Sequence, residues 1–229
     1  KYKGPYVISD KLDGVSCLIV YTKISEKNYD IKLYTRGNGT EGQDISHLIP
    51  FLRLPTTPDL TIRGELIMKK TTFIEKYNDK FSNSRNLVAG LVNQKKIEPE
   101  RFKDMDFVAY EVIKPSLKPS EQMELLEKED VITVINETKT DIDNSLLSEI
   151  LVDWRENYEY TIDGVIVSND KIYPRKSHRY QLGKEILLES LIISKCDAFL
   201  HATTNVSEFV KFLDKKKIQT NIYYPFSIN

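Results

Sequence analysis

Residues 9–16 have the sequence SDKLDGVS, which places Lys11 two positions before the pair Asp13-Gly14. A run rich in β-branched and aromatic residues, 15–22 (VSCLIVYT), overlaps its end, and this composition is typical of a strand. Alone, a K-x-D-G tetrapeptide is a weak signal, because a lysine beside an acid and a glycine most often forms an ordinary turn. The segments that lie outward from Lys11 along the chain therefore decide the fold.

Strand-like and helix-like segments alternate with turn signals along the first three quarters of the chain. Besides 15–22, strands are predicted at residues 30–36, 60–68, 107–113 and 162–168. Helices are predicted at 71–77, 86–93, 121–129 and 143–158, with Ser120 as the N-cap of the third. This order of elements predicts an α+β fold with mixed, mainly antiparallel sheets and flanking helices.

From about residue 173 the pattern changes, and we place a boundary near 174–183, which gives domains 1–179 and 180–229. In the second domain, 185–194 and 206–213 predict helices around a short buried strand at 198–201, as in a short α/β extension. Residues 183–212 also resemble the end of a fucosyltransferase-type glycosyltransferase. The residues upstream that would bind a sugar nucleotide are lacking, so glycosyl transfer is not inferred.

Composition and charge narrow the possible classes. The chain has 229 residues of which 40% are hydrophobic, enough for one large domain or two small ones. Its net charge of −1 conceals an uneven distribution: residues 1–120 carry 20 basic and 15 acidic side chains, 121–163 carry 3 and 13, and 164–229 carry 10 and 6. The basic blocks can meet a polyanion, whereas the acidic block more simply indicates a solvated helical face.

Several classes of site are not indicated. No apolar run approaches the roughly 18 residues of a membrane span, and no apolar signal region follows the first residues, so we expect a soluble intracellular protein. Cys17 and Cys196 have no metal or disulfide spacing and fit a reducing compartment. His47, His178 and His201 have no metal or triad spacing, and no metal site is predicted.

Four further segments follow Lys11 along the chain, and each contains residue types that occur in catalytic or binding sites. They are Arg36-Gly37-Asn38-Gly39, Arg63-Gly64-Glu65, Asn83-Ser84-Arg85-Asn86 with Ala89-Gly90, and Asp163-Gly164-Val165. Together with Lys11 they make residues 1–179 resemble the adenylation (nucleotidyltransferase) domain of NAD-dependent DNA ligases, in the form carried by large DNA viruses. The matching segments are SDKLDGVS, YTRGNGTEGQDISHLI, IRGELIMKKTTF, FSNSRNLVAGLVN, DFVAYEV and YTIDGVIVSND.

The resemblance implies an ATP-grasp-like nucleotidyltransferase fold in which Lys11 becomes covalently linked to AMP taken from NAD, with Mg²⁺ as the expected metal. Glu65 would accept hydrogen bonds from the ribose, and Tyr110 would stack on the adenine. Asp13 and Gly14 would shape the loop and let the nucleotide approach, whereas Arg155 is a looser match. Arginines suit phosphate or ribose oxygens because they offer paired donors; the resemblance assigns this task to Arg36 and Arg85.

The implied substrate is nicked double-stranded DNA, to whose 5′-phosphate AMP would be transferred in replication or repair. The implied protein is a monomer without membrane attachment. If the source is viral, we expect it in the host cytoplasm or the virion.

Four departures from the family pattern stand out. Ser9 occupies the position of a glutamate, and Ser168 that of a nucleotide-binding lysine. After residue 177 the strand with a further phosphate-binding lysine is lacking. Only ten residues precede Lys11, so we expect the module that recognises nicotinamide, and the later DNA-gripping domains, outside this chain. The alternative hypothesis is a catalytically impaired nucleotide- or DNA-binding remnant in a fused reading frame.

Overall fold

The computed structural model describes residues 3–26, 28–37, 42–55, 59–94, 98–129, 131–172, 198–201 and 218–221. Contacts within the chain divide it into two compact units, Lys1–Ile172 and Tyr173–Asn229. No helix in the described ranges is long and apolar enough to cross a membrane.

A four-stranded antiparallel sheet is the larger sheet of the first unit. Strand β1 (Tyr6–Leu12) precedes it, and its members are β2 (Val15–Lys23), β3 (Tyr29–Thr35), β4 (Thr61–Ile67) and β5 (Asp106–Lys114), in the order β3-β2-β4-β5. Along β2, Cys17, Ile19 and Tyr21 are buried at alternate positions. This period of two gives the sheet one face against the core and one half-buried face.

A second, three-stranded antiparallel sheet carries Lys11, and its strands precede and follow those of the larger sheet along the chain. Its strands are β1, β6 (Asn136–Lys139) and β7 (Ile162–Asn169), in the order β6-β1-β7. Strand β1 was not predicted from the sequence, and it brings the two ends of the unit together by pairing Lys11 with Gly164.

Five α-helices and one 3-10 helix flank the sheets in the described part of the unit. They are the 3-10 helix Ser46–Phe51, α1 (Lys70–Lys76), α2 (Ser84–Val92), α3 (Pro99–Phe102), α4 (Pro119–Lys128) and α5 (Asn144–Asn157). Asn83 caps α2 by accepting from the Asn86 N–H, and Asp143 caps α5 by accepting from the Leu146 N–H. These caps satisfy amide donors that a helix start leaves without a partner.

The prediction that Ser120 is the N-cap of the helix at 121–129 is wrong. Helix α4 begins at Pro119 and its N-cap is Lys118, whose backbone N–H donates to the Glu121 carboxylate. Proline suits the first helical position because that residue's N–H would have no partner within the helix. Ser120 therefore lies inside the first turn, and its N–H and hydroxyl both donate to Asp170, at 2.8 and 2.9 Å.

Two hydrophobic clusters hold the unit together. The larger lies between the four-stranded sheet and α2, whose Leu87, Val88, Leu91 and Val92 are buried. The smaller joins β1 to α5 through Ile8, Ile150, Trp154 and Ile162. Antiparallel sheets with helices on them confirm the predicted α+β class.

In the second unit the structure describes two short strands, β8 (Ala198–His201) and β9 (Ile218–Asn221), which pair in parallel. Strand β8 coincides with the strand predicted at 198–201, and β9 was not predicted. The helices predicted at 185–194 and 206–213 lie outside the described residues.

Candidate active site

Lys11 lies near the end of β1 with its amino group against the carboxylate of Asp163. Both side chains are open to solvent, with 55% and 53% of their surfaces exposed. The hydrogen bond and charge of Lys11, helped by Arg85 and Arg155, hold the pKa of Asp163 below its usual range. An exposed ion pair of this kind adds little stability, so it orients Lys11 rather than supporting the fold.

A β-bulge places Asp163 beside Lys11. On β7, Gly164 pairs with Lys11 and Ile162 with Leu12, which leaves Asp163 as an extra residue in the ladder. A bulge bends its strand and redirects a side chain, and bulges are frequent beside active sites. A Cβ built on Gly164 would meet no atom of the described residues within 4 Å, so these residues leave open the space opposite Lys11.

Arg155 supports this bulge from α5. Its Nη2 donates to the Asp163 carbonyl at 2.9 Å and its Nε to the Ile162 carbonyl at 3.4 Å. Lys70 in turn donates to the carbonyls of Arg155 and Tyr158, both at 2.8 Å. The Arg155 side chain thus donates to the backbone that carries Asp163.

The loop between β1 and β2 brings Asp13 and Gly14 to α2 and β4. Arg85, in the first turn of α2, donates to Asp13 Oδ1 at 2.8 Å and leaves more than half of its side chain exposed. A Cβ on Gly14 would lie 2.4 Å from the Leu66 carbonyl oxygen and 2.8 Å from Glu65 Cγ. Since neither neighbour leaves room for a side chain, the close approach of the loop to β4 requires glycine at position 14.

Glu65 lies on the half-buried face of β4, opposite Ser16 of β2. Burial raises its carboxyl pKa to about 7, against the opposing effects of a hydrogen bond from the Gly14 backbone and the charges of Arg85 and Arg36. Near neutral pH this carboxyl therefore changes between its neutral and ionised forms.

Tyr110 reaches the same face through a second bulge. Arg63 pairs with Glu111 and Gly64 with Ala109, so Tyr110 is the extra residue of β5. Its hydroxyl lies 2.7 Å from the Ser16 hydroxyl, and its ring packs against the larger core cluster.

Arg36 follows β3, and its backbone N–H donates to the Ser16 carbonyl at 3.0 Å. Its side chain is exposed, close enough to Glu65 to lower that carboxyl's pKa. The structure thus brings all eight predicted residues together around the β1–β2 loop: Lys11, Asp13, Gly14, Arg36, Glu65, Arg85, Tyr110 and Arg155.

Sequence reasoning gave no role to Asp163, Ser16 or Lys70, although all three lie inside matched segments. Their contacts with Lys11, Tyr110 and Arg155 span 152, 94 and 85 positions of the chain. No local pattern could have paired them, because each contact depends on how distant strands and helices align.

The two substituted serines lie on the Lys11 face of the three-stranded sheet. Ser9 is two residues before Lys11, and Ser168 pairs with Val7, two residues before Ser9. Residues two apart on a strand share a face, so both positions face the same side as Lys11. Within the described ranges, no three His, Cys, Asp or Glu side chains are grouped as a metal site.

A model of the NAD-dependent DNA ligase adenylation domain family matches residues 1–182. The chain belongs to this family. The DNA ligase of Acanthamoeba polyphaga mimivirus is 41% identical over 183 residues, covering 76% of this chain and 28% of that protein. A putative DNA ligase, 205R, of Invertebrate iridescent virus 6 is 36% identical over 185 residues, covering 74% and 29%.

The adenylation-domain chain thus spans less than a third of the length of these viral relatives. Among solved structures, an archaeal ATP-dependent RNA ligase (form 2) covers 74% of this chain and 40% of its own, with 15% identity and a TM-score of 0.46.

Proposed function

We propose that this chain forms a covalent lysyl-AMP at Lys11 from NAD, for transfer to the 5′-phosphate of nicked double-stranded DNA. The observation that carries the proposal is the position of Lys11: an exposed amine at a strand end, oriented by Asp163 and facing open space. Around it lie the arginines and carboxylates expected of a nucleotide site.

In the proposed step, neutral Lys11 Nζ attacks the phosphorus of the AMP half of the dinucleotide. A phosphorus–nitrogen bond forms, the bond to the bridging oxygen breaks, and nicotinamide mononucleotide leaves with that electron pair. A lysine is protonated at neutral pH, so Nζ must first give up a proton. Nζ is open to solvent, so water can accept this proton.

The nucleoside would bind the half-buried face of the four-stranded sheet. Ionised Glu65 is an acceptor for two ribose hydroxyls, and the Tyr110 ring offers a flat apolar surface for adenine. Arg85 uses one Nη1 donor on Asp13 and presents its other donors to phosphate. Arg36 is exposed, its charge acts on Glu65, and it is the second arginine proposed for phosphate or ribose oxygens.

We assign Arg155 a positioning task, because its donors go to the backbone of Asp163. Mg²⁺ retains several waters and binds through one or two carboxylates plus substrate phosphates. One or two carboxylates of the proposed site (Asp13, Asp163 or Glu65) would hold the ion together with the substrate phosphates, and the ion would neutralise phosphate charge.

The proposed protein is a monomer that acts on nicked DNA in replication or repair, with residues 1–179 as the adenylation domain and 180–229 as an extension. The C-terminal resemblance to a fucosyltransferase stays a prediction. The shares of 28% and 29% in the viral relatives fit a chain that acts together with further domains.

One observation favours a second candidate, a nucleotide- or DNA-binding remnant with impaired catalysis. Ser9 and Ser168 lie on the face of Lys11, where the family resemblance expects a glutamate and a lysine. A serine is too short and uncharged to replace either. Loss of one cation that stabilises phosphate costs about a hundredfold or more in rate.

Intact mass spectrometry tests the proposal. The full chain is incubated with Mg²⁺ and either NAD or ATP, beside a ligase of known activity. We expect the mass of one AMP to be added with NAD. Addition with ATP alone would correct the donor. No addition with either donor, while the known ligase is adenylated, would contradict the proposal; AMP binding without the adduct would then support the remnant.

A further inference from the structure

Ser16 joins three elements that carry the proposed nucleoside site. It pairs with Glu65 across the β2–β4 ladder, its carbonyl accepts the Arg36 N–H at 3.0 Å, and its hydroxyl lies 2.7 Å from that of Tyr110. The Ser16–Tyr110 contact links side chains of β2 and β5, which are not neighbours in the sheet.

Tyr110 needs such a contact because of its place in the bulge. As the extra residue of β5 it has no opposite residue on β4 to restrain its side chain. Its ring packs on one side against the larger core cluster, and its hydroxyl meets Ser16. Burial raises the pKa of this hydroxyl to about 12, so it remains protonated and able to hydrogen-bond at any ordinary assay pH.

We propose that Ser16 is a positioning residue that fixes the ring of Tyr110 in the orientation that adenine stacks on, through the hydrogen bond between their hydroxyls. The inference rests on the proposed function, since it takes Tyr110 as the adenine contact. A ring already held in its bound orientation loses less freedom when the base arrives, and this preorganisation increases affinity.

Two substitutions remove the same hydrogen bond from opposite ends. Ser16→Ala deletes one hydroxyl and Tyr110→Phe the other, while both keep the aromatic ring. A net hydrogen bond corresponds to about a 2- to 10-fold change in an equilibrium constant, so each variant should bind AMP about that much more weakly. The double variant should bind AMP no more weakly than the single variant with the lower AMP affinity, because the hydrogen bond can be lost only once.

Calorimetric titration of the full chain with AMP measures these affinities, and ribose 5-phosphate serves as the probe without a base. We expect Ser16→Ala to weaken AMP and leave ribose 5-phosphate unchanged. Ser16→Thr keeps a hydroxyl on a residue that suits a strand, and it should restore AMP binding. Thermal unfolding of every variant shows whether the fold is intact.

The results separate this inference from the proposed function. If Ser16→Ala binds AMP as the unsubstituted chain does, or the two losses add fully, Ser16 does not position Tyr110 and the site stands without it. Equal loss for AMP and ribose 5-phosphate would also overturn the inference, since the effect would not concern the base. If the unsubstituted chain binds no AMP, the proposed function fails, and the inference fails with it.

Discussion

The two sheets of the first unit supply the two halves of the proposed site by different physical means. The four-stranded sheet offers Glu65 and Tyr110 on a half-buried face, where burial raises the pKa of both groups. The three-stranded sheet offers Lys11 and Asp163, both more than half exposed, and there an ion pair lowers the pKa of the carboxyl.

In the proposed function, the four-stranded sheet binds the nucleotide and the three-stranded sheet reacts with it. Packing holds buried groups in one orientation, so they need little reorientation when the ligand binds. An exposed lysine moves freely, and it needs a charged partner to orient it and solvent to take its proton. The comparison therefore predicts that changes in the three-stranded sheet affect reaction, whereas changes in the four-stranded sheet affect binding.

The largest expected effect is at Lys11. Lys11→Arg keeps a positive charge for Asp163, but an arginine cannot be deprotonated in a protein and so offers no nucleophile. We expect complete loss of the AMP adduct by intact mass, with AMP affinity by calorimetry within about threefold of the unsubstituted chain. An adduct that persists in this variant would place the modified residue elsewhere and contradict the role of the three-stranded sheet in the reaction.

Next is Glu65, whose ionised form is proposed to accept ribose hydroxyls. Because its pKa is about 7, AMP binding should strengthen as the pH rises from 6 to 8. Glu65→Gln should bind about 10- to 100-fold more weakly at pH 8, as expected for loss of hydrogen bonds to a charged group.

At pH 6 the two proteins should converge, since the glutamate is then mostly neutral. The AMP phosphate titrates in the same range, but it does so in both proteins, so the difference between the two profiles isolates residue 65. Parallel profiles would show that the carboxyl does not meet the ligand.

Asp10 tests the reverse side of the three-stranded sheet. It is 1% exposed on the face of β1 that carries Ile8, and both carboxylate oxygens are without a hydrogen-bond partner among the described residues. Burial raises its pKa to about 7. Burial raises the pKa of Tyr158, and the negative charge of Asp10 raises it further.

A pKa raised by folding stabilises the native state fully only below the unfolded value, and that contribution is lost as the pH rises through 7. Asp10→Asn should therefore unfold with about 3–4 kcal/mol more free energy at pH 8 and show little difference at pH 4. Urea titrations at both pH values measure this, with Asp141→Asn, an exposed site, as the control. An equal change at both pH values would contradict a buried titrating carboxyl.

The sequence predicted the motif-bearing strands better than the contacts between them. Residues 15–22 and 162–168 contain enough β-branched residues to be recognised alone, and they agree with β2 and β7 within a residue or two. Strand β1 could not be predicted from composition, because it contains the charged residues Asp10 and Lys11. Such residues are uncommon in strands, although Asp10 is buried here.

The bulges could not be predicted either. Whether Asp163 and Tyr110 are extra residues is decided by the register against β1 and β4, which are far away in sequence. Composition reports which residues favour a strand, but not which partner each residue meets. The candidate residues could be named from the sequence, and the reason that two of them face the site could not.

The smallest effect is expected where the two sheets are joined. Asp170, just after β7, accepts from the N–H and hydroxyl of Ser120 in α4 and lies 3.4 Å from Lys118, and α4 packs on β5. Burial would raise the pKa of Asp170, but the Ser120 hydrogen bonds and the charge of Lys118 outweigh it and lower the pKa.

A lowered pKa stabilises the native state above the unfolded value and loses that contribution as the pH falls through the folded one. Asp170→Ala should therefore lower the free energy of unfolding by about 1 kcal/mol at pH 7, and by less at pH 3. Ser120→Ala, which keeps the backbone donor, should have a smaller effect. Unfolding followed both by Trp154 fluorescence, on the three-stranded side, and by circular dichroism decides how the sheets are coupled. Coincident transitions would mean that they unfold together, whereas an earlier Trp154 transition in Asp170→Ala alone would mean that this carboxylate holds the reactive sheet to the binding sheet.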